Sequence, residues 1–188
     1  MPSLNVAIPA YYLISSAEAS SNLARFDGVR YGHLSDAEGG FEDRLIATRN
    51  EGFGTEVKRR ILLGTYALSS GYFDAYYKKA NLLRRRIRKE YAEIFKTCDV
   101  IITPTTPSAA FRLDQPHEDP TEMYLADIFT VTVNIAGLPA VSTPCGYTKE
   151  GLPIGMSIVG KPFADGEVLN TADHFEKEFP YVLNDFCL

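Results

Sequence analysis

From Tyr124 to Cys145 the chain reads YLADIFTVTVNIAGLPAVSTPC, and Asp127 is the single residue of that run charged at neutral pH. A carboxylate among so many apolar residues is expected to be partly buried. An unpaired buried charge is costly, so Asp127 should have a cationic or hydrogen-bonding partner. It is therefore a candidate for holding a positive group, with a structural ion pair as the plainer reading of the run alone. Arg60 lies on the helix expected to begin at Thr55. Its helical face continues through Gly64 and Ala67, and small residues there leave room for close backbone packing or for a ligand. The other chemistry-bearing residues are scattered. Cys98, Cys145 and Cys187 are odd in number and far apart. They fit neither a disulfide framework nor a zinc site and point to a reducing compartment. His33, His117 and His174 show no local cluster. Cys145, with no acid or base suggested beside it, reads as a small buried core residue rather than a nucleophile.

The elements that must position these residues follow from pattern. With 188 residues, 45% hydrophobic and 23% charged, the chain fits one globular domain or part of a larger one. A net charge of −5 argues against general nucleic-acid binding. The N-terminal stretch has no secretory pattern, and no apolar run reaches membrane-spanning length. Helices are expected over residues 11–25, 41–49, 55–69, 72–96, 122–136 and 164–179, with Thr55 capping the third. RFDGVRYG reads as an ordered loop, SDAEGG as a more mobile connection, and PTTPSAAFRLDQPHEDP as a long surface loop. Residues 99–103, 140–143 and 154–159 read as strands, the last two joined as a hairpin. The fold class is α/β, with helices packed on a partial mixed sheet that is small for this length. In the fourth helix Phe73, Tyr76, Ala80, Leu83, Ile87, Tyr91 and Ile94 form an apolar stripe. Its Lys78, Lys79, Arg84, Arg85, Arg86, Arg88 and Lys89 read as the solvated back of that helix, with an RNA or membrane patch as the alternative.

Four stretches carry a resemblance: PAYYLISSAEASSNLARFDGVRYG, EGFGTEVKRRILLGTYALSSGYFDAYYKKA, CDVIITPTTPSAAF and NIAGLPAVSTPCGYTKEGLPIGMSIVGKPF. In that order they cover nearly the whole chain. Together they resemble the amidase-signature family, and within it the glutaminase subunits of tRNA-dependent amidotransferases. The first two stretches are specific to those subunits; the AGLPA and LPIG patterns are shared across amidases. The resemblance implies that residues 1–188 form the C-terminal, substrate-binding part of the amidase-signature fold. The family cleaves amides with a Ser–cis-Ser–Lys triad set in a Gly/Ser-rich segment. Ser15-Ser16, Ser20-Ser21 and Ser69-Ser70 lack the glycines that let backbone amides form an oxyanion hole. No catalytic residue is therefore expected on this chain, which should be inactive alone.

By motif, the family's glutamine pocket falls on Tyr11 in AYYLISS, Arg60 in EVKRRILLG and Asp127 in MYLADIF, with Tyr12 and Arg59 as neighbours left open. The chemistry suits those positions. Glutamine is a zwitterion, so a guanidinium fits its α-carboxylate and a carboxylate its α-ammonium. Tyr11 would add a hydroxyl and an aromatic wall, although helix packing alone also explains it. The implied partners are glutamine and amidotransferase subunits B and C, with tRNA reached only through the complex and no membrane. ATP and Mg²⁺ belong to the partner subunit, so no cofactor or metal is expected on this chain, and the implied location is cytoplasmic. The rivals are another amidase acting on simple carboxamides and a non-catalytic module that docks on a partner. Two positions depart from the family pattern: Thr132 stands where Pro is frequent, and Ser157 where many amidases have Gln.

Overall fold

The computed structural model describes residues 1–114 and 124–181. His117, Cys187, the end of the long loop and the expected helix start at Glu122 lie outside the described residues. The chain divides into two compact units, one made of Met1–Ile8 with Leu83–Leu188, the other of Pro9–Leu82.

The second unit is helical. A short 3₁₀ helix over Pro2–Val6, counted with the first unit, leads into α1 (Ala7–Leu23), whose residues from Pro9 onward belong to the second; Pro9 sits inside the first turn of α1. Helix formation thus begins before Tyr11, because a first-turn proline gives up no bond that the helix needs. α2 (Phe41–Gly52) and α3 (Thr55–Leu68) follow. Gly54, not Thr55, is the N-cap of α3; its backbone is extended and no side chain caps the helix. Gly64 and Ala67 of α3 and Ser16 and Ala17 of α1 are buried. A Cβ on Gly64 would overlap the Ser16 carbonyl. The small face beside Arg60 therefore serves backbone packing rather than a ligand.

The loop after α1 is pinned by local bonds. Asp27 Oδ1 accepts the N–H groups of Val29 (2.9 Å) and Arg30 (3.2 Å), and Gly28 takes the left-handed conformation at φ 76°. Arg49 of α2 donates to the carbonyls of Leu23 and Phe26, both at 3.0 Å. The SDAEGG connection, expected to be mobile, is tied down by its first residue. Ser35 is buried, its N–H donates to Thr48 Oγ1 (3.0 Å) and its hydroxyl to Glu51 Oε1 (2.7 Å). After α3, Gly71 at φ 87° breaks the helical path, so α4 spans Tyr77–Ile94 rather than starting near Tyr72. Phe73 and Tyr76 consequently stay exposed, while Ala80, Ile87 and Tyr91 of the predicted stripe are buried.

In the first unit, β1 (Val100–Pro104), β2 (Ala140–Tyr147) and β3 (Pro153–Gly160) form a sheet in the order β1-β3-β2. Both pairings are antiparallel, so the sheet expected to be mixed is antiparallel among the described residues. The tight β2–β3 hairpin dictates one pairing, and β1 adds to the free edge of β3 running the same way as β2. α5 (Ile128–Ala136) and α6 (Asp165–Glu178) belong to this unit. Its core gathers Ile87, Tyr91 and Phe95 with Val131, Val133, Ile135, Ile158, Val159 and Val168. Gly137 at φ 71° ends α5 in the left-handed conformation. Arg84 and Arg88 donate their Nε–H groups to the last carbonyls of α5, at Ile135 (3.2 Å) and Ala136 (2.9 Å). Two residues of the basic run thus seal a helix C-terminus, where cations are favoured. Register shifts between Pro144 and Gly146, and this bulge leaves Cys145 exposed, correcting the expectation of a buried thiol.

Candidate functional site

In the helical unit, α1 brings Tyr11 and Tyr12 to the arginines of α3. The Arg60 guanidinium lies over the Tyr12 ring, 5.6 Å from its centroid. Tyr11 meets Tyr12 edge to face, with centroids 5.3 Å apart. One turn before Arg60, Glu56 accepts its Nε–H at 3.0 Å, while the other Glu56 oxygen takes a bond from Arg59. The Glu56 bond holds the Arg60 pKa above its ordinary value, against an opposing effect of burial; the Glu56 charge and the two tyrosines add to it. The side chain of Arg60 is 34% exposed. Its two terminal nitrogens have no partner among the described residues. A guanidinium held by Nε presents that outer edge, and a carboxylate can take two parallel hydrogen bonds from it. Arg59 is more exposed, at 51%, and bonds only to Glu56 among the described residues. Of the neighbouring alternatives, Arg60 is the one seated over the Tyr12 ring. Glu56 is the residue sequence reasoning missed, although its spacing of three and four from the two arginines is a readable signal.

In the other unit, Asp127 is the N-cap of α5. Its backbone carbonyl accepts the N–H groups of Thr130 (3.1 Å) and Val131 (2.9 Å), and its side chain makes no capping bond. The carboxylate is exposed and has no partner among the described residues. This corrects the expected burial: the apolar residues after Asp127 turn inward on the helix, while the cap stands outside it. A helix N-terminus is a favourable place for a carboxylate, and this one stands open to a cationic partner. Thr132, a departure from the family pattern, is buried and pairs with Tyr91 Oη at 2.8 Å. Ser157, the other departure, pairs with Thr105 at 2.9 Å.

Ser35, Glu51 and His33 form a third polar group. Glu51 receives the Ser35 hydroxyl on one oxygen and faces His33 Nε2 at 2.8 Å with the other. The histidine contacts the carboxylate and not the serine, so the trio lacks the base-to-nucleophile link of a hydrolase. Among the described residues no three His, Cys, Asp or Glu side chains converge to hold a metal ion, and no helix is long and apolar enough to cross a membrane.

Residues 1–169 match the family model described as Amidase. Over 181 residues the chain is 56% identical to the A subunit of glutamyl-tRNA(Gln) amidotransferase from Caldanaerobacter subterraneus, covering 96% of this chain and 37% of that protein. The protein of the same description from Ruminiclostridium cellulolyticum is 57% identical over 179 residues, with 95% and 37% covered. The chain thus spans little more than a third of the length of these curated relatives. The crystal structure of the corresponding Thermotoga maritima protein superposes with a TM-score of 0.67 at 39% identity, over 98% of this chain and 35% of that one. An amidase crystal structure matches at a TM-score of 0.66 with 20% identity, over 93% and 36%, a likeness of fold alone.

Proposed function

Since the chain belongs to the amidase family, we propose that it is the substrate-binding portion of the glutaminase subunit of a glutamyl-tRNA(Gln) amidotransferase. The observation that carries this reading is identity above 50% to A subunits of glutamyl-tRNA(Gln) amidotransferase along almost the whole chain. The complete enzyme would release ammonia from glutamine for the conversion of Glu-tRNA(Gln) to Gln-tRNA(Gln). Its Ser–Ser–Lys triad would lie on residues other than these, and the chain alone would be inactive. The roles are assigned residue by residue. Arg60 takes the α-carboxylate of glutamine through its outer nitrogens, Tyr11 and Tyr12 supply the aromatic wall beside it, and Asp127 takes the α-ammonium. Subunits B and C are the partners, ATP and Mg²⁺ act on the partner subunit, tRNA is met only in the complex, and the setting is cytoplasmic.

The test uses the complete amidotransferase. Asp127→Asn should raise the KM for glutamine about ten-fold or more, the range for losing a charge-assisted hydrogen bond. Transamidation driven by free ammonia should be unchanged. An unaltered KM would remove Asp127 from the pocket. Equal turnover of glutamine and acetamide by the wild-type enzyme would instead favour an amidase of simple carboxamides.

A further inference from the structure

Two arginines share one carboxylate at the start of α3. Glu56 Oε1 accepts the Arg60 Nε–H at 3.0 Å, and Glu56 Oε2 accepts from a terminal nitrogen of Arg59. Spacings of three and four residues bring the three side chains to one side of the helix. Two guanidinium groups and one carboxylate leave one net positive charge. A Glu56–Arg60 pair on its own would be neutral. Arg59 restores the positive charge that an anionic ligand needs.

A free arginine stem samples many rotamers, and ordering it costs entropy. Arg60 is restrained at two points. Glu56 holds its Nε, and its guanidinium lies over the Tyr12 ring, 5.6 Å from the centroid. A bond through Nε leaves the end of the fork, the two terminal nitrogens, for a second carboxylate. Stability alone is a weak reason for this arrangement. Glu56 and Arg59 are about half exposed, and exposed ion pairs of this spacing stabilise a helix little.

We propose that Glu56 is a positioning residue: it orders Arg60 before glutamine arrives, while Arg59 offsets the charge that Glu56 brings. The proposal rests on the glutaminase reading above, in which Arg60 takes the α-carboxylate. Ordering a long side chain in advance removes part of the cost of binding. That gain is made equally in the bound complex and in the transition state. It therefore lowers KM and leaves kcat alone.

The test measures KM and kcat for glutamine in the complete amidotransferase, and the Tm of each variant reports whether it is folded. Glu56→Ala should raise KM about three- to ten-fold, the range for ordering one such side chain, with kcat kept within about two-fold. Electrostatics alone predicts the opposite sign, because losing the carboxylate makes the site more positive. Glu56→Gln keeps an acceptor oxygen for Nε and should bring KM back to within about two-fold of wild type. Arg59→Ala should raise KM, and the rise should shrink as salt screens the lost charge. In an Arg60→Ala background, Glu56→Ala should leave KM where Arg60→Ala alone puts it, since Glu56 acts through Arg60. Glu56 also lies in the first turn of α3, where an acid favours the helix. A purely helix-stabilising role would lower Tm and leave KM unmoved. A Glu56→Ala KM at or below the wild-type value overturns the proposal, as does an undiminished effect in the absence of Arg60. An Arg59→Ala KM equal to wild type overturns the charge-offsetting role. Arg60→Ala alone separates this proposal from the reading beneath it. If it raises KM while Glu56→Ala does not, positioning fails and the pocket stands; if it leaves KM unchanged, the pocket assignment fails too.

Discussion

At the scale of single residues, the chemistry depends on which atoms are already spoken for. Glu56 occupies Nε of Arg60 and leaves the outer nitrogens open. Arg60→Lys should therefore raise the KM for glutamine in the complete enzyme despite keeping the charge, because an ammonium cannot offer two coplanar donors. A KM equal to wild type would show that charge alone suffices. Glu51 gives a pH prediction. Its bond with His33, then that with the Ser35 hydroxyl, hold its carboxyl below the usual value of 4.5. A depressed carboxylate stabilises the folded form above its unfolded pKa, and that contribution is lost as pH falls through the folded pKa. Thermal unfolding should show Glu51→Gln losing less stability than wild type between about pH 5 and about pH 3. Parallel curves would exclude Glu51 as a source of acid sensitivity. Motif and zwitterion chemistry nominate Tyr11, Arg60 and Asp127 for the proposed site from the sequence. The exposure of Asp127 is not legible there, because hydrophobicity along a run does not reveal where a helix begins. A charge at the cap is exposed even when the residues after it are apolar.

At the scale of elements, close approach decides more than propensity does. Alanine outranks glycine inside a helix by about 1 kcal/mol, which taken alone favours Gly64→Ala. The new methyl would meet backbone atoms of Ser16 that cannot rotate away. Overpacking costs about 1–3 kcal/mol, so the variant should be less stable, with a lower Tm in a calorimetric scan. A Tm at or above wild type would mean that α1 and α3 can part without loss. The strands, the hairpin and the regular helices are legible from periodicity and turn residues. Helix ends are less so. Pro9 has the look of a boundary although a first turn accepts proline, and the apolar spacing of Phe73 and Tyr76 suggests helix where Gly71 turns the chain. The basic face of α4 reads as solvated, and much of it has local work. Lys78 bonds Asp74, Arg86 bonds Glu90, and Arg84 and Arg88 cap α5. Long-range capping of this kind leaves no trace in local sequence.

At the scale of the whole molecule, exposed apolar side chains dominate the expected behaviour in solution. On α3, Leu62 is 71% exposed, Leu63 53% and Tyr66 49%, and on α2 Phe41 is 68% and Ile46 60% exposed. Large apolar side chains left this exposed favour association. The purified chain should grow in average mass as its concentration rises, followed by light scattering; a constant monomer mass would show that these residues stay solvated without cost. The division into two compact units is not legible, because the boundaries at Ile8 and Leu82 fall inside helices whose pattern continues unbroken. The bulge at Cys145 has a practical use here. Among the described cysteines it is the exposed one, Cys98 being half-buried. A maleimide dye should react first at that strand, giving a built-in optical tag with which assembly can be watched without altering the sequence.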